Sequence, residues 1–198
     1  MAVELNVRTG IVITRELPGA ATIKAPATIW WLGSRFHVRD ESGLPVGDLL
    51  ALATSPRGFG REPRTKEEFM DTRTRLSGVT DVYGDRAARH GTVIEEGTSL
   101  TLDTGSLLPL AELVLSGDVA SLRQTGRGKV LGRDAVEYTT QLSGGEGLRS
   151  RLRRLVAGPY TLLREVTDEH REGALLRVEV SSLDEGVVTD ADVRLTRR

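Results

Sequence analysis

Three histidines, His37, His90 and His170, are the first candidates for chemistry, and they lie far apart in sequence. A zinc site announces itself by tight ligand spacing such as H-x-x-x-H or H-E-x-x-H. Neither pattern occurs, so no metal site is expected. Cysteine is absent, which removes thiolate nucleophiles, disulfides and cysteine-zinc sites. Carboxylate pairs are common, at Asp40-Glu41, Glu67-Glu68, Glu95-Glu96 and Asp184-Glu185. Most sit at turns or at a helix start, positions that suit solvated acids better than a proton-sharing pair. Ser34, Ser55 and Ser106 lack the G-x-S-x-G context of a hydrolase elbow. Gly58-Phe59-Gly60 lacks the preceding strand and closely following helix of a dinucleotide fingerprint, and no G-x-x-x-x-G-K-[ST] loop is present. With no catalytic set and no cofactor motif, the expectation is a protein that binds rather than reacts.

Two features suit recognition. Trp30-Trp31 falls in a predicted strand, where neighbouring side chains face opposite ways. One indole enters the core, and the other lies on the outer face or both faces are covered. In a chain with 4% aromatic residues, this pair is a large share of the aromatic surface. The basic run Arg149 to Arg154 holds Arg149, Arg151, Arg153 and Arg154, and on a strand it places Arg149, Arg151 and Arg153 on one face, with Leu148, Ser150 and Leu152 on the other. That stripe is either a solvated sheet face or a contact for an anion or a protein.

Composition narrows the partners. The chain has 198 residues, 27 Lys plus Arg and 28 Asp plus Glu, for a formal net charge of -1. Nucleic-acid binding needs concentrated positive charge, so it is not expected. No apolar run approaches the roughly 20 residues of a membrane span. The opening Met1-Ala2-Val3-Glu4-Leu5-Asn6 has neither a basic leader nor an apolar core of a signal peptide. Read as written, the protein belongs in the cytoplasm; removal of a leader would place it outside.

The elements that position these residues are mostly strands. Val3 to Leu17 alternates and carries Gly10 as a bend or bulge. Ala21 to Leu32 returns after the Pro18-Gly19 turn, with Pro26 marking an edge or bulge. Arg35 to Arg39 is a third strand, with Phe36 and Val38 on one face and His37 on the other. Val46 to Thr54 is ambiguous, and Thr65 with Glu68 makes a capping box for a helix to about Leu76. Val79 to Gly91 reads as loop, and Thr92 to Leu102 as strand broken at Gly97. Ser106 to Leu115 is a predicted helix, capped by Ser106, with Leu107, Leu110 and Val114 on one stripe. Asp118 to Arg123 reads as a short helical turn. Gly128 to Leu131 and Ala135 to Leu142 form a hairpin, with Val136, Tyr138, Thr140 and Leu142 sharing a face. Gly158-Pro159 separates the next run, Tyr160 to Val166. In Ala174 to Val180, Leu176, Val178 and Val180 share one face and Arg177 and Glu179 the other. A final strand is expected in the tail, around Val187-Val188 and Val193-Leu195.

Sheet, then helices, then sheet is the order of an α+β fold. The expected architecture is one domain, residues 1–198. It is a large twisted antiparallel sheet, a half-open barrel, with two or three helices on its concave face.

The segment Gly126 to Leu142, which opens Gly-Arg-Gly-Lys-Val-Leu-Gly-Arg-Asp-Ala-Val-Glu-Tyr, resembles a hairpin of the LolA-like and RseB-like half-barrel proteins, a group that includes LppX-type lipoproteins. Tyr160 to Ser182 and Ala27 to Arg39 are similar to further strands of that group. The resemblance implies an apolar groove between sheet and helices, lined here by Trp30, Trp31, Phe36, Leu107, Leu110 and Val114. It implies a lipid or acyl-chain ligand, or a protein partner. The alternative reading is a protein-interaction or regulatory module that uses the outer sheet face and the Arg149, Arg151, Arg153 stripe. No lipobox cysteine is present, and no functional residue of the family carries over.

Overall fold

A computed structural model describes residues 5–16, 22–42, 79–95, 97–117, 119–120, 122–143, 149–168 and 174–195. The ambiguous Val46 to Thr54 run and the helix expected from Thr65 to Leu76 lie outside these residues.

Alternation of apolar and polar residues drives the chain into two antiparallel meanders. The first comprises β1 (Asn6–Glu16), β2 (Thr22–Leu32), β3 (Arg35–Asp40), β4 (Thr80–Asp85), β5 (His90–Glu95) and β6 (Thr98–Asp103). The second comprises β7 (Arg123–Val130), β8 (Arg133–Ser143), β9 (Arg149–Ala157), β10 (Tyr160–Asp168) and β11 (Ala174–Glu185). β1 pairs with β11, so the two meanders fuse into one 11-stranded sheet of order β6-β5-β4-β3-β2-β1-β11-β10-β9-β8-β7. The edges β6 and β7 do not pair, and the sheet is not closed into a barrel. Strands from the two ends of the chain thus lie at its middle.

One face of this sheet carries the core. Val7, Ile11, Ile13, Ile29, Phe36, Val38, Val82 and Val93 are buried there with Leu162, Val166, Leu176 and Val178. Each such side chain removed from water contributes about 1.5–3 kcal/mol. The expected sharing of a face by Leu176, Val178 and Val180 holds, with all three buried. β8 differs: Ala135 and Thr139 are its buried residues, and they belong to the face opposite that of Val136 and Tyr138. Ala135 packs with Leu155 and Leu163 in a small second cluster. Alternation alone cannot say which of two half-apolar faces will meet a neighbour.

The bulge expected at Gly10 is present as a register shift between Gly10 and Ile11, but the extra residue, Ser181, belongs to β11. A Cβ on Gly10 would sit 2.7 Å from Ser182 Oγ and 2.8 Å from Ser181 Oγ. Glycine leaves room for these two hydroxyls, and Ser182 Oγ accepts from the Gly10 N–H at 3.2 Å. Pro26 pairs with Val12 of β1, while the pairing of β2 with β3 begins only at Ala27. Its missing N–H costs no ladder bond on the open side.

The loop expected over Val79 to Gly91 contains β4, because Val82 turns inward at the centre of a short strand. Helix α1 (Thr104–Ala111) starts two residues earlier than expected. Asp103, not Ser106, caps it, its Oδ1 accepting from the Gly105 N–H at 2.8 Å, a device worth about 1 kcal/mol. A 3₁₀ turn, Glu112–Val114, follows, and Leu115 forms a bridge to Tyr160 of β10. The tail strand is not formed. After Gly186 the chain makes helix α2 (Asp190–Val193), closed by a capping box between Thr189 and Asp192. α2 packs on β2 and β3, against the face opposite the core, so it is not one of the helices expected in the hollow. Asp118 and Ser121 lie outside the described residues, and Arg123, expected at the end of a helical turn there, begins β7.

Candidate functional site

The α1 face is the hollow one. Arg86, just after β4, and Arg154 of β9 are separated by six strand spacings, about 29 Å on a flat sheet. Both nevertheless line one cleft of about 480 Å³. The sheet is therefore bent toward α1 and the 3₁₀ turn.

Strand alternation sends Trp31 inward, where it is fully buried. Its indole Nε1–H donates to the Ala111 carbonyl at 2.9 Å, and its ring lies 5.1 Å from Phe36. The Arg86 guanidinium sits 4.6 Å over the Trp31 ring and pairs with Glu112 at 2.7 Å. Leu107, Leu110 and Val114 of the α1 segment pack into the same cluster, all without exposed surface. The structure thus brings together five of the six residues expected along a groove. They form a filled floor. Trp30 lies on the other face.

The open space is beside that floor. The cleft runs between the end of α1 and the β9–β10 hairpin, with Leu5, Pro109, Leu115 and Pro159 supplying apolar walls. Of its polar wall, Arg154 stands out in the sequence only as a member of the basic run, and Arg164 does not stand out. Arg154 and Arg164 stand directly across from each other on β9 and β10, and both reach into the cleft. Arg154 donates to the Ser116 carbonyl at 3.3 Å. The Nε atoms of both arginines are buried without a hydrogen-bond partner. Burial pushes both guanidinium pKa values down, and at Arg164 the neighbouring Arg154 adds to the effect. No local signal gave this pairing: a tight Gly158-Pro159 hairpin that pairs Ala157 with Tyr160 would set Arg154 opposite Leu163, and the register shift between Thr161 and Leu163 brings Arg164 across instead.

The next pair along the same hairpin behaves oppositely. Arg153 faces Glu165 across the strands, on the outer face. Arg153 bonds Glu137 at 3.0 Å and lies 3.7 Å from Glu165. Arg177 continues the ladder to Glu165 and Glu179. The Arg153 guanidinium holds the Glu137 carboxyl below its ordinary range. Of the expected arginine stripe, Arg153 is thus engaged by carboxylates, Arg151 is exposed, and the Arg149 side chain lies outside the described residues.

The outer face of the first meander carries a ring stack. His37 lies 4.6 Å from Trp30 and 4.2 Å from Tyr83, nearly parallel to both. His37 Nε2 is 2.7 Å from Asp81 Oδ1, and Nδ1 is 2.9 Å from the Asp192 carbonyl of α2. Both partners are acceptors, so a neutral ring satisfies one of them at a time. Burial lowers the His37 pKa, against the pull of Asp81. The tail is anchored further by Arg35 to Asp190 and by paired Asn6–Val188 bonds of 3.2 and 2.9 Å. His90 is exposed, and His170 lies outside the described residues. Among the described residues no three metal-ligating side chains converge, and no helix is long and apolar enough to cross a membrane.

No family model and no curated protein matches the sequence. Solved structures do match in fold. An uncharacterized conserved protein from Thermus thermophilus is similar at a TM-score of 0.54 and 12% identity, over 99% of this chain and 88% of that one. A LolA superfamily protein from Nitrosomonas europaea matches at 0.47 and 10% identity, over 98% and 91% of the two chains. MucB in the Pseudomonas aeruginosa MucA/MucB complex matches at 0.44 and 15% identity, over 96% of this chain and 56% of that one. The likeness to the Thermus thermophilus protein is one of fold alone. It carries no ligand with it.

Proposed function

We propose that this chain is a non-enzymatic binding protein that holds a lipid or acyl-chain ligand on the hollow side of its sheet. The observation that carries the reading is the cleft of about 480 Å³ between the α1 segment and the β9–β10 hairpin. Its size falls in the range of small-molecule sites, and it combines apolar walls with a few polar groups. The resemblance of the Gly126 to Leu142 hairpin to lipoprotein carriers supports the same direction. Trp31, Phe36, Leu107, Leu110 and Val114 act as the packed floor, and Leu115, Pro109 and Pro159 meet the ligand. Displacement of a fluorescent acyl-chain probe tests this. A saturable site competed by unlabelled fatty acid is expected, together with a lipid mass in native spectra of protein from its own host. Absence of saturable binding across chain lengths, with clean apo spectra, would overturn it.

A further inference from the structure

We infer that the cleft is an oxyanion-headgroup site, in which Arg154 and Arg164 clamp the carboxylate or phosphate of an amphiphile. The inference rests on the binding reading above and adds the head chemistry.

Charge in the cleft is unbalanced among the described residues. Among the described residues, Arg86, Arg154, Arg164 and Glu112 are the charged side chains that line the cleft. Glu112 is committed to Arg86 at 2.7 Å, which leaves two positive charges. These two are cross-strand partners, and like charges directly opposite on a sheet repel. Their Nε–H groups are buried and unpaired. A buried charged donor without an acceptor is costly, because it has lost water and gained nothing. Neither arginine has an ion pair among the described residues. The same hairpin shows that this is not a general shortage of acids, since the neighbouring pair Arg153–Glu165 is complementary on the outer face. A bound oxyanion offsets the repulsion by pairing with the parts of the two guanidiniums that line the cleft, the buried Nε atoms being out of its reach. Guanidinium forks fit planar carboxylate and tetrahedral phosphate oxygens alike. The remaining walls, Leu5, Leu115 and Pro159, suit the first carbons of a tail rather than a free inorganic ion.

The test uses the whole chain and four probes: hexadecanoate, hexadecyl phosphate, hexadecanol and inorganic phosphate. They are measured by competition against a fluorescent acyl probe and by calorimetry. Hexadecanoate or hexadecyl phosphate is expected to bind about ten-fold or more tightly than hexadecanol, as a charge-assisted bond requires. Arg154→Gln and Arg164→Gln should each weaken hexadecanoate and hexadecyl phosphate by a larger factor than hexadecanol, and so reduce that preference. Inorganic phosphate should compete weakly and lose competition in both variants. Equal binding of hexadecanol and both anions, unaffected by either substitution, would overturn the headgroup site and leave the binding reading standing. No binding of any amphiphile would overturn both. Binding of inorganic phosphate as tight as that of hexadecyl phosphate would refute the amphiphile and identify a free anion as the ligand. Circular dichroism of each variant shows that a lost preference comes from a folded protein.

Discussion

Replacing Arg164 by Met should stabilise the free protein. The substitution keeps an apolar stem of similar reach on β10, so packing against the cleft wall is retained. It removes one of two guanidiniums that face each other across β9 and β10 and an Nε–H that is buried without a partner. Replacing buried charge by well-packed apolar side chains is worth up to several kcal/mol, and about 1–3 kcal/mol is expected here. For a chain of this size that is a rise of roughly 3–10 °C in Tm. The adjacent control is Glu165→Gln, which removes the acid lying 3.7 Å from both Arg153 and Arg177. Those arginines are half-exposed, so the loss should be at most about 1 kcal/mol. Calorimetry in a buffer free of phosphate and sulfate reads both. Opposite signs at neighbouring positions are the signature of one face turned to water and one to the hollow. A fall in Tm for Arg164→Met would refute a net cost of the Arg164 charge in the free protein.

Further predictions follow from the same geometry. Trp31→Phe should cost about 2–3 kcal/mol in urea unfolding, from the lost bond to Ala111, the lost contact with Arg86 and the space left behind; Trp30→Phe, half-exposed and stacked on His37, should cost less than about 1 kcal/mol, and the reverse order would contradict the facing of β2. Gly84→Ala should lose about 1–3 kcal/mol, because its Cβ would fall within 3 Å of three atoms of the Phe36 ring; an unchanged denaturation midpoint would show that the ring yields freely. His37 has its pKa lowered by burial, so the unfolded chain binds the proton more readily. Stability is then fully present above the ordinary histidine value of about 6.5 and declines as pH falls through the lower folded value. Urea midpoints at several pH values should show this slope, and His37→Gln should flatten it; an equal slope in the variant would exclude His37 as its source. Asp85, Asp190 and Asp192 are held below the usual carboxylate range by hydrogen bonds from Ala87, Arg35 and Thr189 respectively. Their contribution is present above about pH 4 and is lost as pH falls further, which acid titration of Asp192→Asn against the parent should reveal as a smaller loss.

The strands and their turns were written in the sequence, because period-two alternation and Gly-Pro punctuation are local. Val7 to Ile13, Phe36 with Val38, and Leu176 to Val180 declare their buried face without help from a partner. The α1 stripe of Leu107, Leu110 and Val114 did the same at helical spacing. What stayed hidden depended on contacts far apart in the chain. Trp31 shares its face with Ala25, Ala27 and Ile29 by alternation, but the partner of its indole N–H, Ala111, lies eighty residues away. The tail became α2 rather than a strand because Thr189 and Asp192 close a capping box while His37 and Arg35 bind it to the sheet. Arg153 and Arg154 are neighbours of one type, and composition treats them alike. The pairing of β9 with β10, and the bend that brings Leu115 over them, sends one to a carboxylate ladder and the other into an unneutralised hollow. Side-chain period is a property of the strand, but the environment on either face belongs to the assembled sheet.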